Sequence, residues 1–253
     1  MESLAIAGVV LGCTFGGTVL GMVVRGLLPE PHLGNDSKDS VKMAMGLVAT
    51  MTALVLGLLV ASAKGVFDSH RTGVQQLATN VVVLDRILAQ FGPDSAPARA
   101  ALRDAVVTLL DHLWSEAGYD ASRLDAVQLT AQGGALYASV RDLPAPDDSR
   151  KALKNQAHQA VTDLTRTRWS LGQRSDSSIP RPFLIVLAFW LTALFLSFGL
   201  FAPRNMTVLL AFLIASLSVA GALLLIAEMD QPFRGLIQVS ATPLRDALLK
   251  LGQ

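Results

Sequence analysis

Polar and apolar positions fall in long blocks. Segments 3–24, 43–63, 183–202 and 206–227 contain no Asp, Glu, Lys, Arg or His. Each is about 20 residues long, the length a helix needs to cross a hydrocarbon core of roughly 30 Å. A buried helix of a soluble protein rarely runs this far without a charge, and four in one chain predict four membrane spans. Short polar connections join the first pair and the second pair, so the spans form two hairpins. Pro29, Pro31, Gly34 and then Asn35-Asp36-Ser37 suit a loop leading into a capped helix, and Pro203-Arg204-Asn205 is a very tight return.

Between the hairpins the pattern turns helical and amphipathic. Val74, Leu77, Val81, Leu84, Leu88 and Phe91 recur at helical spacing with no proline before Pro93, so the second span is expected to continue as one long helix, weakest at Gly65 and Gly73. Gly92-Pro93-Asp94-Ser95 marks a turn and a helix start. Leu102, Ala105, Val106, Leu109, Leu113 and Trp114 trace the next helix, which Gly118 closes. Asp120 opens a third helix, and Asp147 a fourth that carries Leu153, Ala157, Ala160, Val161 and Leu164 on one face. Pro180 and Pro182 mark entry into the third span. The expected organisation is an all-α polytopic membrane protein. It comprises a first hairpin over 1–65, a helical bundle over 66–181, a second hairpin over 182–228 and an amphipathic tail over 229–253, the last carrying Leu236, Val239, Leu244, Leu248 and Leu251.

Within the first span Gly8, Gly12 and Gly16 recur every four residues, followed by Gly17 and Gly21. Small residues one turn apart let helix backbones approach closely. The expectation is packing within one subunit, with a subunit contact as the alternative, and in either case other helices enclose the span. The second span carries a similar stripe of Gly46, Thr50, Ala53, Gly57 and Ala61, either a packing face or a pore face.

Charge decides orientation. Net charge is +1, which indicates no nucleic-acid footprint. Lys64, Arg71, Arg166, Arg168, Arg174, Arg181, Arg234, Arg245 and Lys250 fall on the side of the bundle, against Arg25, Lys38, Lys42 and Arg204 on the other. The positive-inside rule then makes the N-terminus, bundle and C-terminus cytoplasmic in a multi-pass inner-membrane protein. Val10-Leu11-Gly12-Cys13 has the form of a lipoprotein cleavage box, but Met1-Glu2 supplies no basic leader and the apolar run continues past the cysteine, so an uncleaved span is expected.

Chemistry narrows the function classes. Cys13 is the single cysteine, and His32, His70, His112 and His158 show no metal-ligand spacing, so no metal or cofactor is expected. His112 and Glu116, one turn apart, read as a solvated helix pair. No nucleophile and base cluster, so an enzyme is not expected. Nothing ionisable lies mid-membrane, which weighs against an ion-coupled pump but not against a passive pore with apolar constrictions. Lys64, Asp68, His70 and Arg71 read as an interfacial charge network, with a gate or ligand site as the alternative.

Leu56-Gly57-Leu58, the stretch Val66-Phe67-Asp68-Ser69-His70-Arg71, the closing motif Met229-Asp230-Gln231-Pro232-Phe233-Arg234-Gly235 and Val239-Ser240 followed by Pro243-Leu244 together resemble the bestrophin-like domain family, over essentially the whole chain. The resemblance implies a distant likeness to bestrophins, which are homopentameric and often anion-selective channels with four spans per subunit and cytoplasmic termini. It implies self-association in the bilayer and passive conduction of small ions. In bestrophins the second span lines an apolar neck around a Leu-Gly pair. Carried onto Leu56-Gly57, the neck falls on Thr50, Leu54 and Leu58, with Thr50 departing from the bulky residue usual there. In the closing motif, Asp230 is expected to hold a helix end with Arg234 near enough to pair, while Glu228 and Asp230 alone offer too few oxygens for calcium. The rival reading is a membrane-anchored scaffold or sensor whose bundle binds a partner.

Overall fold

The computed structural model describes residues 2–29, 34–114, 123–173, 181–233 and 235–251, of which residues 2, 123–130, 172, 173 and 181 by backbone alone. His32, Pro31, Glu116, Gly118, Asp120, Arg174, Pro180 and Arg234 lie outside the described residues. Among the described residues eight α-helices run in the order α1 (Glu2–Arg25), α2 (Asn35–Ala89), α3 (Ala96–Leu113), α4 (Arg123–Arg141), α5 (Asp148–Gln173), α6 (Arg181–Phe201), α7 (Met206–Met229) and α8 (Thr242–Lys250). No strand occurs among the described residues. α1, α2, α6 and α7 are long and apolar enough to cross a membrane.

The chain divides into two compact units, Met1–Val66 with Ser177–Gln231 and Phe67–Asp176 with Pro232–Gln253. α2 is continuous for 55 residues and contributes to both. No proline interrupts it, and its two weak points are compatible with a helix: Gly73 lies against the Leu171 side chain, where a Cβ would collide, and Gly65 faces open space.

In the first unit α1 packs on α6 and α7. Gly21 and Gly199 make the closest approach. A methyl group at Gly199 would overlap the Thr18 carbonyl, and one at Gly21 would overlap Leu196. Gly17 sits 3.1 Å, as measured from a built Cβ, from the Thr192 carbonyl oxygen. The four-residue series behaves differently: among the described residues no other helix lies within 4 Å of where a Cβ on Gly8, Gly12 or Gly16 would stand. The expectation that this series packs within one chain is therefore corrected. Successive residues of a helix are turned by about 100°, so Gly17 and Gly21 occupy the neighbouring face, and that face makes the contact.

The ends of α1 are fastened by polar groups. Ser3 Oγ donates to the buried Glu228 carboxylate at the end of α7. At the other end Arg25 donates to the Ala202 carbonyl, and Arg204 Nε donates to the Met22 carbonyl at 3.1 Å. Cations at a helix C-terminus satisfy its orphan carbonyls and complement its dipole. The tight return holds: Asn205 caps α7, its side chain accepting from Val208 N–H at 2.9 Å.

The second unit is a helical bundle around the C-terminal half of α2. Val74, Leu77, Val81, Leu84, Leu88 and Phe91 are all buried in its core, joined by Leu102, Val106 and Leu109 of α3 and Ala157 and Val161 of α5. Each of the Val, Leu and Phe side chains contributes roughly 1.5–3 kcal/mol on burial. Asp147 caps α5, accepting from Arg150 N–H at 2.7 Å. The tail belongs to this unit, with Val239, Leu244, Ala247 and Leu251 buried in the bundle core and Leu236 and Leu249 exposed.

One ion pair ties α2 to α3. Arg99 donates to both oxygens of the buried Asp85, from Nε at 2.7 Å and Nη2 at 3.0 Å. The hydrogen bond it donates to Asp85 holds the pKa of the Arg99 guanidinium above its ordinary value, against burial that lowers it. Asp85→Ala leaves that charge without its fork partner and is expected to lower stability by about 2 kcal/mol. Chemical denaturation of the purified protein checks this, with Asp85→Asn, which keeps one acceptor, losing less.

Candidate functional site

The second span presents a large uncovered surface. Within its span-like stretch α2 is 11% buried by the rest of the chain, against 33%, 33% and 22% for α1, α6 and α7. One face is held: Leu59 and Ala63 join an apolar cluster with Val10, Leu187, Leu191, Leu223 and Ile226. The opposite face carries Met43, Leu47, Met51, Leu54 and Leu58, all exposed, at intervals of four, four, three and four residues. At about 100° per residue this spacing keeps all five within one narrow stripe.

The neck residues sit on that uncovered side. Leu54 and Leu58 are each 67% exposed, one turn apart, so each copy of the chain offers two stacked apolar positions. Thr50 is exposed as well, but its hydroxyl donates back to the Gly46 carbonyl at 2.9 Å. Its outward surface is therefore mostly the methyl group. Nothing of this chain approaches a Cβ built on Gly46 or Gly57, and Ala53 and Ala61 are exposed, so the small-residue stripe has no packing partner within the described chain. Met43, Leu47 and Met51 extend the apolar stripe beyond the residues singled out in the sequence, although their spacing was available there.

Of Lys64, Asp68, His70 and Arg71, three share a face of α2 and the fourth lies on another. Lys64, Asp68 and Arg71 follow at four and three residues and share one face, with Lys64 and Arg71 exposed. His70 points to the other side and is fully buried. Its ring meets Phe233 edge-on, centroids 5.3 Å apart at 86°, and Phe233 meets Trp114 in the same way at 5.4 Å and 89°. Trp114 Nε1 donates to the Val239 carbonyl at 2.8 Å, and Val239 N–H donates to the Pro232 carbonyl at 2.7 Å. The closing motif thus has a definite task in the second unit: it turns the chain back so that Phe233 wedges between a ring of α2 and Trp114 just after α3. Neither Phe233 nor Trp114 could be paired with His70 from spacing alone, since the three lie far apart in sequence.

Gly235 completes the turn at φ 87°, a conformation side chains with a Cβ adopt at a cost. Gly235→Ala is expected to destabilise the second unit by about 1–2 kcal/mol. Faster hydrogen exchange at Val239 N–H, relative to the natural protein, is the measurement that checks it. Asp230 ends α7, its N–H bonded to the Ile226 carbonyl at 3.1 Å, and is buried beside the buried Glu228. Among the described residues no group of three or more His, Cys, Asp or Glu side chains is placed to hold a metal ion.

Four apolar spans and a helical bundle, threaded by one long helix, define a polytopic all-helical membrane protein. Its sequence matches the model of the bestrophin-like domain over residues 12–244, and the chain belongs to that family. A search of curated proteins gives no match. Among solved structures it is similar to a bacterial bestrophin homologue from Klebsiella pneumoniae carrying an isoleucine-to-threonine substitution, at 15% identity and a TM-score of 0.66, covering 96% of this chain and 98% of that one. It is also similar to a membrane protein carrying a proline-to-alanine substitution, at 14% identity and a TM-score of 0.64, covering 98% and 99%. The fold is bestrophin-like from end to end.

Proposed function

We propose that the protein is a homo-oligomeric ion channel that conducts small ions passively, with the uncovered face of α2 lining the pore. The observation that carries the reading is the stripe from Met43 to Leu58, five large apolar side chains left open on one helix of a bestrophin-like chain. Around a common axis, Leu54 and Leu58 of each copy form two successive apolar rings. Such rings gate by wetting and dewetting, and need no titratable group in the pathway. Flanking Gly46, Ala53, Gly57 and Ala61 are small enough to let neighbouring copies of α2 approach closely. The open Gly8, Gly12 and Gly16 face of α1 supplies a second close-approach surface of the same kind. By the family likeness the assembly is a pentamer.

In this reading the N-terminus, bundle and C-terminus face the cytoplasm of a cell whose inner membrane holds the protein, as the basic residues near the spans direct. The bundle shares α2 with the neck, so a partner or stimulus acting on the bundle has a direct mechanical route to Leu54 and Leu58.

The test is reconstitution of the full chain into vesicles loaded with an ion-sensitive dye. Ion flux well above that of protein-free vesicles is expected, together with an oligomeric mass in detergent. A monomer with no flux, whose bundle captures a specific partner, would replace this reading with that of an anchored scaffold.

A further inference from the structure

We propose that the first unit holds an anionic phospholipid in a cleft between the start of α2 and the α6–α7 hairpin. The cleft has a volume of about 450 Å³, within the usual range of ligand sites. Lys38 and Lys42, one turn apart on α2, stand at one end of it. Apart from Ser197 the remainder is apolar, lined by Met45 and Ala49 from α2 and by Phe198, Phe201 and Phe212 from the hairpin. Phe198 and Phe212 stack with centroids 6.3 Å apart, and Phe195 meets Phe198 edge-on at 6.3 Å, which gives the wall a fixed shape.

Position in the membrane selects the occupant. The charge-free stretch of α2 starts directly after Lys42, so both lysines stand where hydrocarbon gives way to headgroups. From Lys42, where the hydrocarbon begins, to Ala49 the cleft follows α2 for roughly 10 Å, about a third of a 30 Å hydrocarbon core. The upper part of one acyl chain fills that depth, while its phosphate reaches the two ammonium groups. Lys42 also lies 3.8 Å from Asp39, but that pair is well exposed, and exposed pairs exchange readily for a phosphate. A zwitterionic lipid fills the same apolar wall without the net charge that two lysines favour, so the geometry points to an anionic headgroup.

The test uses delipidated full-length protein in detergent, titrated with dioleoylphosphatidylglycerol, dioleoylphosphatidylcholine or inorganic phosphate and read by native mass spectrometry and thermal midpoint. The phosphatidylglycerol adduct is expected to be favoured over phosphatidylcholine on the order of tenfold. Lys38→Gln with Lys42→Gln removes that preference without changing the lipid-free midpoint, since neither lysine is buried. Ala49→Leu, which fills the cleft and alters no charge, lowers retention of both lipids. Equal retention of the two lipids, or a preference that survives the double substitution, overturns the proposal. Inorganic phosphate raising the midpoint as much as phosphatidylglycerol overturns it in favour of a free-anion site. A changed oligomeric mass for Ala49→Leu with unchanged lipid retention assigns the cleft to a second copy of the chain.

Discussion

Gly199→Val lowers the thermal midpoint of the purified protein by roughly 6–12 °C, corresponding to about 3 kcal/mol for a chain of this size. The reason is geometric. A Cβ at Gly199 overlaps the backbone of Thr18, so the neighbour cannot yield by turning a side chain. α1 and α6 must separate, which loosens the polar fastenings at both ends of α1, Ser3 to Glu228 and Arg25 to Ala202. Gly12→Val is the matched control. Nothing of the chain lies within 4 Å of that position, so the fold of the single chain tolerates it, and any effect is expected on the oligomer distribution instead. Equal loss of stability in both variants would contradict the assignment of the two α1 faces.

Leu54→Ala and Leu58→Ala each raise ion flux through reconstituted protein on the order of tenfold, the change that follows from removing about 1.4 kcal/mol of barrier. Shortening an apolar ring widens it and eases its wetting, so the direction is an increase. Leu59→Ala separates pore from packing. Leu59 is 7% exposed and sits in the cluster with Val10 and Leu187, so its truncation costs about 2–5 kcal/mol of stability and gives no rise in flux per folded oligomer. A flux increase for Leu59→Ala equal to that for Leu58→Ala would place the pore elsewhere.

Much of this architecture is legible in the sequence because its signals are long. Four charge-free stretches and the run without proline up to Pro93 are enough to define the spans and the continuous α2, and the apolar spacing from Val74 to Phe91 names the bundle core. Faces within a span are harder to read. Both glycine sets of α1 have close-approach spacing, and only the partner helix decides that Gly17 and Gly21 are used while Gly8, Gly12 and Gly16 stay open. The tail posed the same difficulty, because an amphipathic face looks alike whether it lies on a membrane or, as with Leu244 and Ala247, in a protein core. His70 is a neighbour of Lys64, Asp68 and Arg71 along the chain, but its angular position on the helix separates it from them. Its contact with Phe233 depends on tertiary structure and left no local trace.

The claim at the centre of this account is that the uncovered face of α2 borders an ion pathway, and substituted-cysteine accessibility tests it most directly. The exposed Cys13 is first replaced by serine, and Leu54→Cys, Leu58→Cys and Leu59→Cys are reconstituted separately into vesicles. A charged, membrane-impermeant methanethiosulfonate is then applied during flux. The reagent is expected to block flux through Leu54→Cys and Leu58→Cys and to leave Leu59→Cys unaffected. Undiminished flux through both Leu54→Cys and Leu58→Cys, with the reagent on both sides of the membrane, would contradict it.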